Sequence, residues 1–149
     1  MDDSAANILV VDDSTIIHSL FESVCNRYNL NIHCVTNGQE AIDILTEKDF
    51  SLILMDLEMP VMGGLEATRI IRQREKEKRS KRTPIIAISG TTMSNPSFEC
   101  LNAGMDDFIA KPIALNTILD VILPLAQKDS TGLVFRLSNK AIPARLNHL

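Results

Sequence analysis

The chain has 149 residues, of which 45% are hydrophobic and 23% charged, and a formal net charge of −4. That length predicts one domain with one sizeable core, and that charge gives no general pull toward nucleic acid or anionic membrane. No apolar run approaches the roughly 18 residues a membrane span needs, and the acidic start, MDDSAAN, is not a secretory signal.

Asn7-Ile8-Leu9-Val10-Val11 is a short apolar run ending in Asp12-Asp13. A run without polar alternation reads as a strand buried on both faces of a parallel sheet. Ser14 stands where an N-cap belongs, and Ile17, Leu20, Phe21, Val24 and Tyr28 follow at helical spacing. A second short strand is expected over 32–35. Asn37 or Gly38 then opens a helix carrying Ala41, Ile44 and Leu45 on one face. Leu52-Ile53-Leu54-Met55 is the third strand; it delivers Asp56 to a turn marked by Pro60 and Gly63-Gly64. A third helix runs through Ile70 and Ile71 and dissolves into a charged segment. Ile85-Ile86-Ala87-Ile88 is the fourth strand, ending at Ser89-Gly90. Phe98, Leu101 and Met105 mark a fourth helix, stopped near Gly104. The fifth strand covers 107–110 and meets Lys111-Pro112. The fifth helix covers about 115–123, with Pro124 closing or kinking its end.

The order is strand-helix five times over. It predicts an α/β fold with parallel strands, right-handed crossovers and helices on both faces. Two stretches fall outside it. Residues 69–82, RIIRQREKEKRSKR, hold eight of the fifteen Lys and Arg. This stretch reads better as a solvated helix end and loop than as a binding patch, because Glu75 and Glu77 dilute it and basic side chains suit a helix C-terminus. Residues 128–149 form a tail too short for a second domain, which leaves 1–127 as the domain. The three cysteines, Cys25, Cys34 and Cys100, lack metal or CxxC spacing, so reduced thiols in a cytoplasmic compartment are expected. His18 reads as a helix-surface or core-edge residue rather than as a ligand or phosphate carrier.

The strand ends carry the chemistry. Alone, Asp56 reads equally well as a turn cap or as a reactive acid. In a parallel sheet, however, Asp12, Asp13, Asp56, Ser89 and Lys111 all emerge at the carboxyl edge, where open α/β folds bind ligands. Three carboxylates there need a cation among them, and hard oxygen ligands suit Mg2+. A lysine and a hydroxyl at the same edge suit phosphoryl oxygens. Phosphoryl transfer needs mainly positioning and charge neutralisation.

At these residues the sequence resembles the receiver (response regulator) domains of two-component phosphorelays, similar to those of hybrid histidine kinases. The matching pieces are ILVVDDS at 8–14, LILMDLEMPVMGG at 52–64, PIIAISG at 84–90 and AGMDDFIAKPI at 103–113. The resemblance covers about residues 6–126. It implies a flavodoxin-like, doubly wound five-stranded sheet of order 2-1-3-4-5. It also implies Asp56 as phospho-acceptor from a phosphohistidine, on a histidine kinase or a histidine phosphotransfer protein. Mg2+ would be held by Asp12, Asp13, Asp56 and the backbone carbonyl of Glu58. Ser89 and Lys111 would bind phosphoryl oxygens, Ser89 and Phe108 would form the switch, and the bond before Pro112 would be cis. Glu58 and Thr91 would tune the phosphoryl lifetime. Where the family usually has Ala after the Ser/Thr, this chain has Gly90.

The resulting expectation is a phosphorelay receiver, free-standing or part of a hybrid kinase, that switches a protein-interaction surface. It is not an enzyme beyond self-catalysed phosphotransfer and autodephosphorylation. Its partners exclude nucleic acid and membrane, and a homodimer through the helix four–strand five–helix five face is possible because helix five is apolar nearly all round. Two rivals are a Mg2+-dependent aspartyl phosphohydrolase and a degenerate receiver that binds partners without phosphorylation. The first lacks a cap for substrate, and the second sits badly with an intact acid set.

Overall fold

The structure, a computed structural model, describes residues 6–90 and 96–126. Thr91 and the tail over 128–149 lie outside the described residues. The elements run β1 (Asn7–Val11), α1 (Thr15–Arg27), β2 (Asn31–Val35), α2 (Gly38–Leu45), β3 (Leu52–Asp56), α3 (Gly64–Lys78), β4 (Ile85–Ser89), α4 (Pro96–Ala103), β5 (Asp107–Ala110) and α5 (Leu115–Ala126). All pairings are parallel, in the order β2-β1-β3-β4-β5. The expected doubly wound sheet is therefore present.

Strand side chains alternate between two apolar layers. Ile8, Val10, Leu52, Leu54, Ile86, Ile88 and Ile109 face α1 and α5, meeting Phe21, Val24, Ile118, Val121 and Ile122. Leu9, Val11, Ile53, Met55, Ile85, Ala87 and Phe108 face α2, α3 and α4, meeting Ala41, Ile42, Ala67, Ile71 and Cys100. Both layers are dry, which is why the strands read as unbroken apolar runs. The caps follow the sequence. Ser14 Oγ accepts from the Ile17 N–H at 3.3 Å, and Asn37 Oδ1 accepts from the Glu40 N–H at 2.9 Å.

Two expectations, on the third and fifth helices, need correction. The third helix does not dissolve after Ile71 but continues to Lys78, where Arg79 closes it in the left-handed region. Gln, Arg, Glu and Lys are good helix formers, and Gln73 Nε2 donates to Glu77 Oε2 along this last stretch. The fourth helix ends at Ala103, just before Gly104 as expected; it buries Ser97, Cys100 and Ala103, while Phe98 and Leu101 are 49% and 45% exposed. Its small side chains let it lie close to the sheet, and its large ones face outward. The fifth helix passes Pro124 and ends at Ala126. A proline so near the end removes only one donor, and Ile118, Val121, Ile122 and Leu125 are buried on both sides of it.

The basic stretch is also less solvated than its composition suggests. Arg72 Nε donates to the Gly104 carbonyl at 2.8 Å, Nη1 to Glu75 Oε1 and the Thr83 carbonyl, both at 2.8 Å, and Nη2 to Asp106 Oδ2 at 2.9 Å. Arg82 adds bonds to Asp106 Oδ1 and the Gly104 carbonyl. This network ties the end of α3 to the entry of β4 and the α4–β5 turn, at the sheet edge opposite the acids.

Asp107 gives a pH signature. It is buried, its Oδ1 accepts from its own neighbour Phe108 N–H at 2.9 Å, and its Oδ2 has no partner. Burial first, and then the nearby Asp106, push its carboxyl up to about 6 from 3.8, against the pull of the Phe108 N–H. In the folded state it holds its proton more tightly than in the unfolded state. Its penalty is therefore absent below pH ~4, grows as pH rises toward about 6, and persists above. Asp107→Asn should remove that slope. Relative to wild type, the variant gains up to about 3 kcal/mol between pH 4 and pH 7, read from urea unfolding at the two pH values. Parallel pH dependence of the two proteins would refute this.

Candidate functional site

Strand register builds the site. Val11 pairs with Met55, Asp56 with Ile88, and Ser89 with Ala110. The residues just past β1, at the ends of β3 and β4, and after β5 therefore share one edge. Asp12, Asp13 and Asp56 each bring a carboxylate oxygen within 4.8 Å of the other two. Asp12 is fully buried, Asp56 nearly so, and Asp13 exposed.

Asp12 is held tightly. Its N–H donates to the Val35 carbonyl at 3.1 Å, its Oδ1 accepts from the Ser14 N–H at 2.9 Å, and its carbonyl accepts from His18 Nε2 at 2.6 Å. Lys111 Nζ lies 3.1 Å from Asp12 Oδ2 and 3.4 Å from Asp56 Oδ2. The first contact is an ion pair by distance but not an aligned hydrogen bond, so Asp12 Oδ2 is buried without a hydrogen-bond donor. Asp56 Oδ1 accepts from the Glu58 N–H at 3.3 Å. Burial first, then the Asp12 carboxylate, push the Asp56 carboxyl up to about 6, against the pull of Lys111 and the Glu58 N–H. Burial alone would lower the Lys111 pKa, but the two acids more than reverse this and hold it above its usual value.

This arrangement fits a divalent cation. One buried oxygen lacks a hydrogen-bond donor, three carboxylates converge, and a single ammonium offsets them. Among the described residues no other such group of acid, His or Cys side chains converges.

The remaining expected residues that the structure describes lie on β4, on β5 and in the segments that follow β3 and β5. Ser89 is buried at the end of β4, and its carbonyl accepts from the Lys111 N–H at 2.9 Å. The Lys111–Pro112 bond is cis. Phe108 is buried in the layer under α3 and α4, and Glu58 is exposed. Among the described residues, a Cβ on Gly90 would meet Lys111 Cβ at 3.5 Å, an ordinary contact. In the loop after Glu58, the Met62 N–H donates to the Pro60 carbonyl at 2.7 Å across Val61, whose φ is 69°. A β-branched residue in that region is strained. The loop is anchored by the Gly38 N–H, which donates to the Met62 carbonyl at 2.9 Å. Sequence reasoning gave His18 no part in the site. The signal was its position six residues past Asp12, on the first turn after the Ser14 cap.

A family model described as "Response regulator receiver domain" matches residues 8–123. The chain is 36% identical over 115 residues to hybrid signal transduction histidine kinase A of Dictyostelium discoideum, covering 76% of this chain but only 5% of that kinase. Among solved structures it resembles the Saccharomyces cerevisiae Ssk1 receiver domain, crystallised with the histidine phosphotransfer protein Ypd1. That match has a TM-score of 0.76 and 27% identity, covering 87% of this chain and 94% of that one. It also resembles the receiver domain of sensor histidine kinase PA1611 from Pseudomonas aeruginosa, which holds a magnesium ion in its active site cleft. Here the TM-score is 0.70 with 28% identity, covering 83% of this chain and 98% of that one.

Proposed function

The chain belongs to the response regulator receiver domain family, whose part is phosphorelay signalling, and on that premise we propose that Asp56 is its phospho-acceptor. The observation that carries this is that Lys111 pairs with both Asp56 and Asp12 at the carboxyl edge of the sheet, where the three acids converge. An Asp56 oxygen attacks the phosphorus of a phosphohistidine, the P–N bond breaks, and the freed imidazole of the donor takes up a proton. Before attack, Lys111 and the Glu58 N–H favour the ionised, nucleophilic form of Asp56 against the effect of its burial. After transfer, Lys111 pairs with one phosphoryl oxygen and the Ser89 hydroxyl donates to another. Asp12, Asp13, Asp56 and the Glu58 carbonyl would hold Mg2+, which when bound would neutralise charge at the phosphoryl oxygens. The donor is a histidine kinase or a histidine phosphotransfer protein.

The phosphoryl group adds about −1.5 to −2 charges. Ser89 moves toward it and Phe108 follows, which alters the α4–β5–α5 face; Glu58 and Thr91 set how long the group lasts. On that face Phe98, Leu101 and Leu115 are exposed, as a protein contact or a homodimer requires. Residues 1–127 form the receiver and 128–149 a tail. The chain transfers and loses its own phosphoryl group but turns over no separate substrate. Among the described residues no helix is long and apolar enough to cross a membrane, and the three free thiols suit the reducing cytoplasm.

The test is incubation with acetyl phosphate and Mg2+, read by intact mass. The expected result is a gain of about 80 Da, one phosphoryl group, that is absent in Asp56→Asn or without Mg2+. Sedimentation of the same samples reads self-association. An unchanged mass, together with no response to beryllium fluoride, would sink the proposal.

A further inference from the structure

His18 is half-buried on α1, and its ring reaches back past the Ser14 cap to the end of β1. Its backbone N–H serves the helix, donating to the Ser14 carbonyl at 3.2 Å. The ring is spent elsewhere, on the Asp12 carbonyl at 2.6 Å. A carbonyl oxygen only accepts, so Nε2 carries the proton. Asp12 is fixed at its N–H by Val35 and at Oδ1 by Ser14. The carbonyl is the group that sets the plane of the Asp12–Asp13 peptide. Asp13 depends on that plane. It is the exposed acid of the three, and among the described residues no hydrogen bond or ion pair holds its carboxylate. The direction of that carboxylate follows from the backbone that presents it.

We propose that His18 is a positioning residue for the divalent-cation site. Its Nε2–H bond to the Asp12 carbonyl fixes the Asp12–Asp13 peptide and so keeps the Asp13 carboxylate within reach of Asp12 and Asp56. The inference rests on reading the three acids as a cation site. Hydrogen-bond partners of metal ligands commonly change affinity by 10–100-fold. Here the bond goes to a ligand's backbone rather than to a ligating atom, so a smaller effect of about 3–10-fold is expected.

The experiment is a Mg2+ titration of the full chain followed by amide chemical shifts, at a temperature where every variant is folded. Wild type should saturate and Asp13→Asn should lose most of its affinity. His18→Ala should bind about 3–10-fold more weakly. His18→Gln, whose amide N–H can reach the same carbonyl, should recover most of the loss. A His18→Ala protein that melts earlier but binds Mg2+ as wild type does would make the residue merely structural and overturn the inference. Equal weakening in the Ala and Gln variants would also overturn it, because the donor would then be irrelevant. Failure of wild type itself to bind Mg2+ would remove the cation reading and the inference together. The wild-type titration therefore distinguishes the two failures.

Discussion

Arg72→Ala should destabilise the protein by about 3 kcal/mol, although the residue lies in the most highly charged stretch of the chain. Arg72 and Asp106 have side chains only 13% and 12% exposed. One guanidinium serves two carbonyls and two carboxylates from three separate segments. Its removal leaves the Thr83 carbonyl without that donor. Asp106 keeps the Ile85 N–H and Arg82 as partners, and Glu75 keeps the Thr83 N–H. For that reason the cost sits near the low end for breaking a buried ion pair, which is 3–5 kcal/mol. Arg82 cannot take over, because its side chain is 57% exposed and already committed to Asp106. Arg72→Lys should recover less than half of the loss, since an ammonium cannot reproduce the planar fork. Gly104 is shaped around this contact. Its φ is +106°, and a Cβ there would stand 2.8 Å from Arg72 Cγ. Urea unfolding of Arg72→Ala, Asp106→Asn and the double variant would measure the coupling. An exposed helix end would give a change within about 0.5 kcal/mol, and that result would return residues 69–82 to a solvated surface.

The strands were legible because both faces of a parallel sheet are dry. Their sequence is then a plain apolar run, and the first polar residue marks the carboxyl end. The site was legible for the same reason: parallel topology brings Asp12, Asp56 and Lys111 to one edge whatever their separation along the chain. What composition could not show was which polar side chains find one another across the fold. Arg72 and His18 sit on helices with ordinary amphipathic patterns, and only tertiary placement tells them from surface residues. Which face the fourth helix buries was not legible for a related reason. Size does not mark the core face here: Phe98 and Leu101 are exposed while Ser97, Cys100 and Ala103 pack inward. In the third helix, strings of Glu, Lys and Arg are compatible with both helix and loop. The continuation to Lys78 is supported by the folded ends of the Arg72 network.

Gly64→Ala should cost about 3 kcal/mol, against the direction helix propensity gives, because a Cβ on Gly64 has nowhere to go. Gly64 is the first residue of α3, and alanine is favoured over glycine by about 1 kcal/mol inside a helix. The position needs no left-handed backbone, so conformation alone would make the substitution stabilising. The added Cβ, however, would stand 2.3 Å from the Asp56 carbonyl oxygen, 2.9 Å from Met55 Cγ and 3.1 Å from the Asp56 carbonyl carbon. Met55 and Asp56 end the central strand, which is paired on both sides with β1 and β4. The strand cannot retreat without breaking the sheet. The helix start must move instead, and with it the Gly64 N–H bond to the Leu57 carbonyl at 3.0 Å. Overpacking of this kind costs about 1–3 kcal/mol and occasionally more, and for a domain of this size that lowers the melting temperature by roughly 10 °C. Because Leu57 directly follows Asp56, the shift also disturbs the proposed phospho-acceptor, and labelling by acetyl phosphate should slow. Gly90→Ala is the control. Among the described residues its Cβ would meet nothing nearer than Lys111 Cβ at 3.5 Å, so its melting temperature should stay close to that of wild type. If the two variants melt together near the wild-type value, close packing of α3 on the end of β3 does not hold the loop beside Asp56 in place.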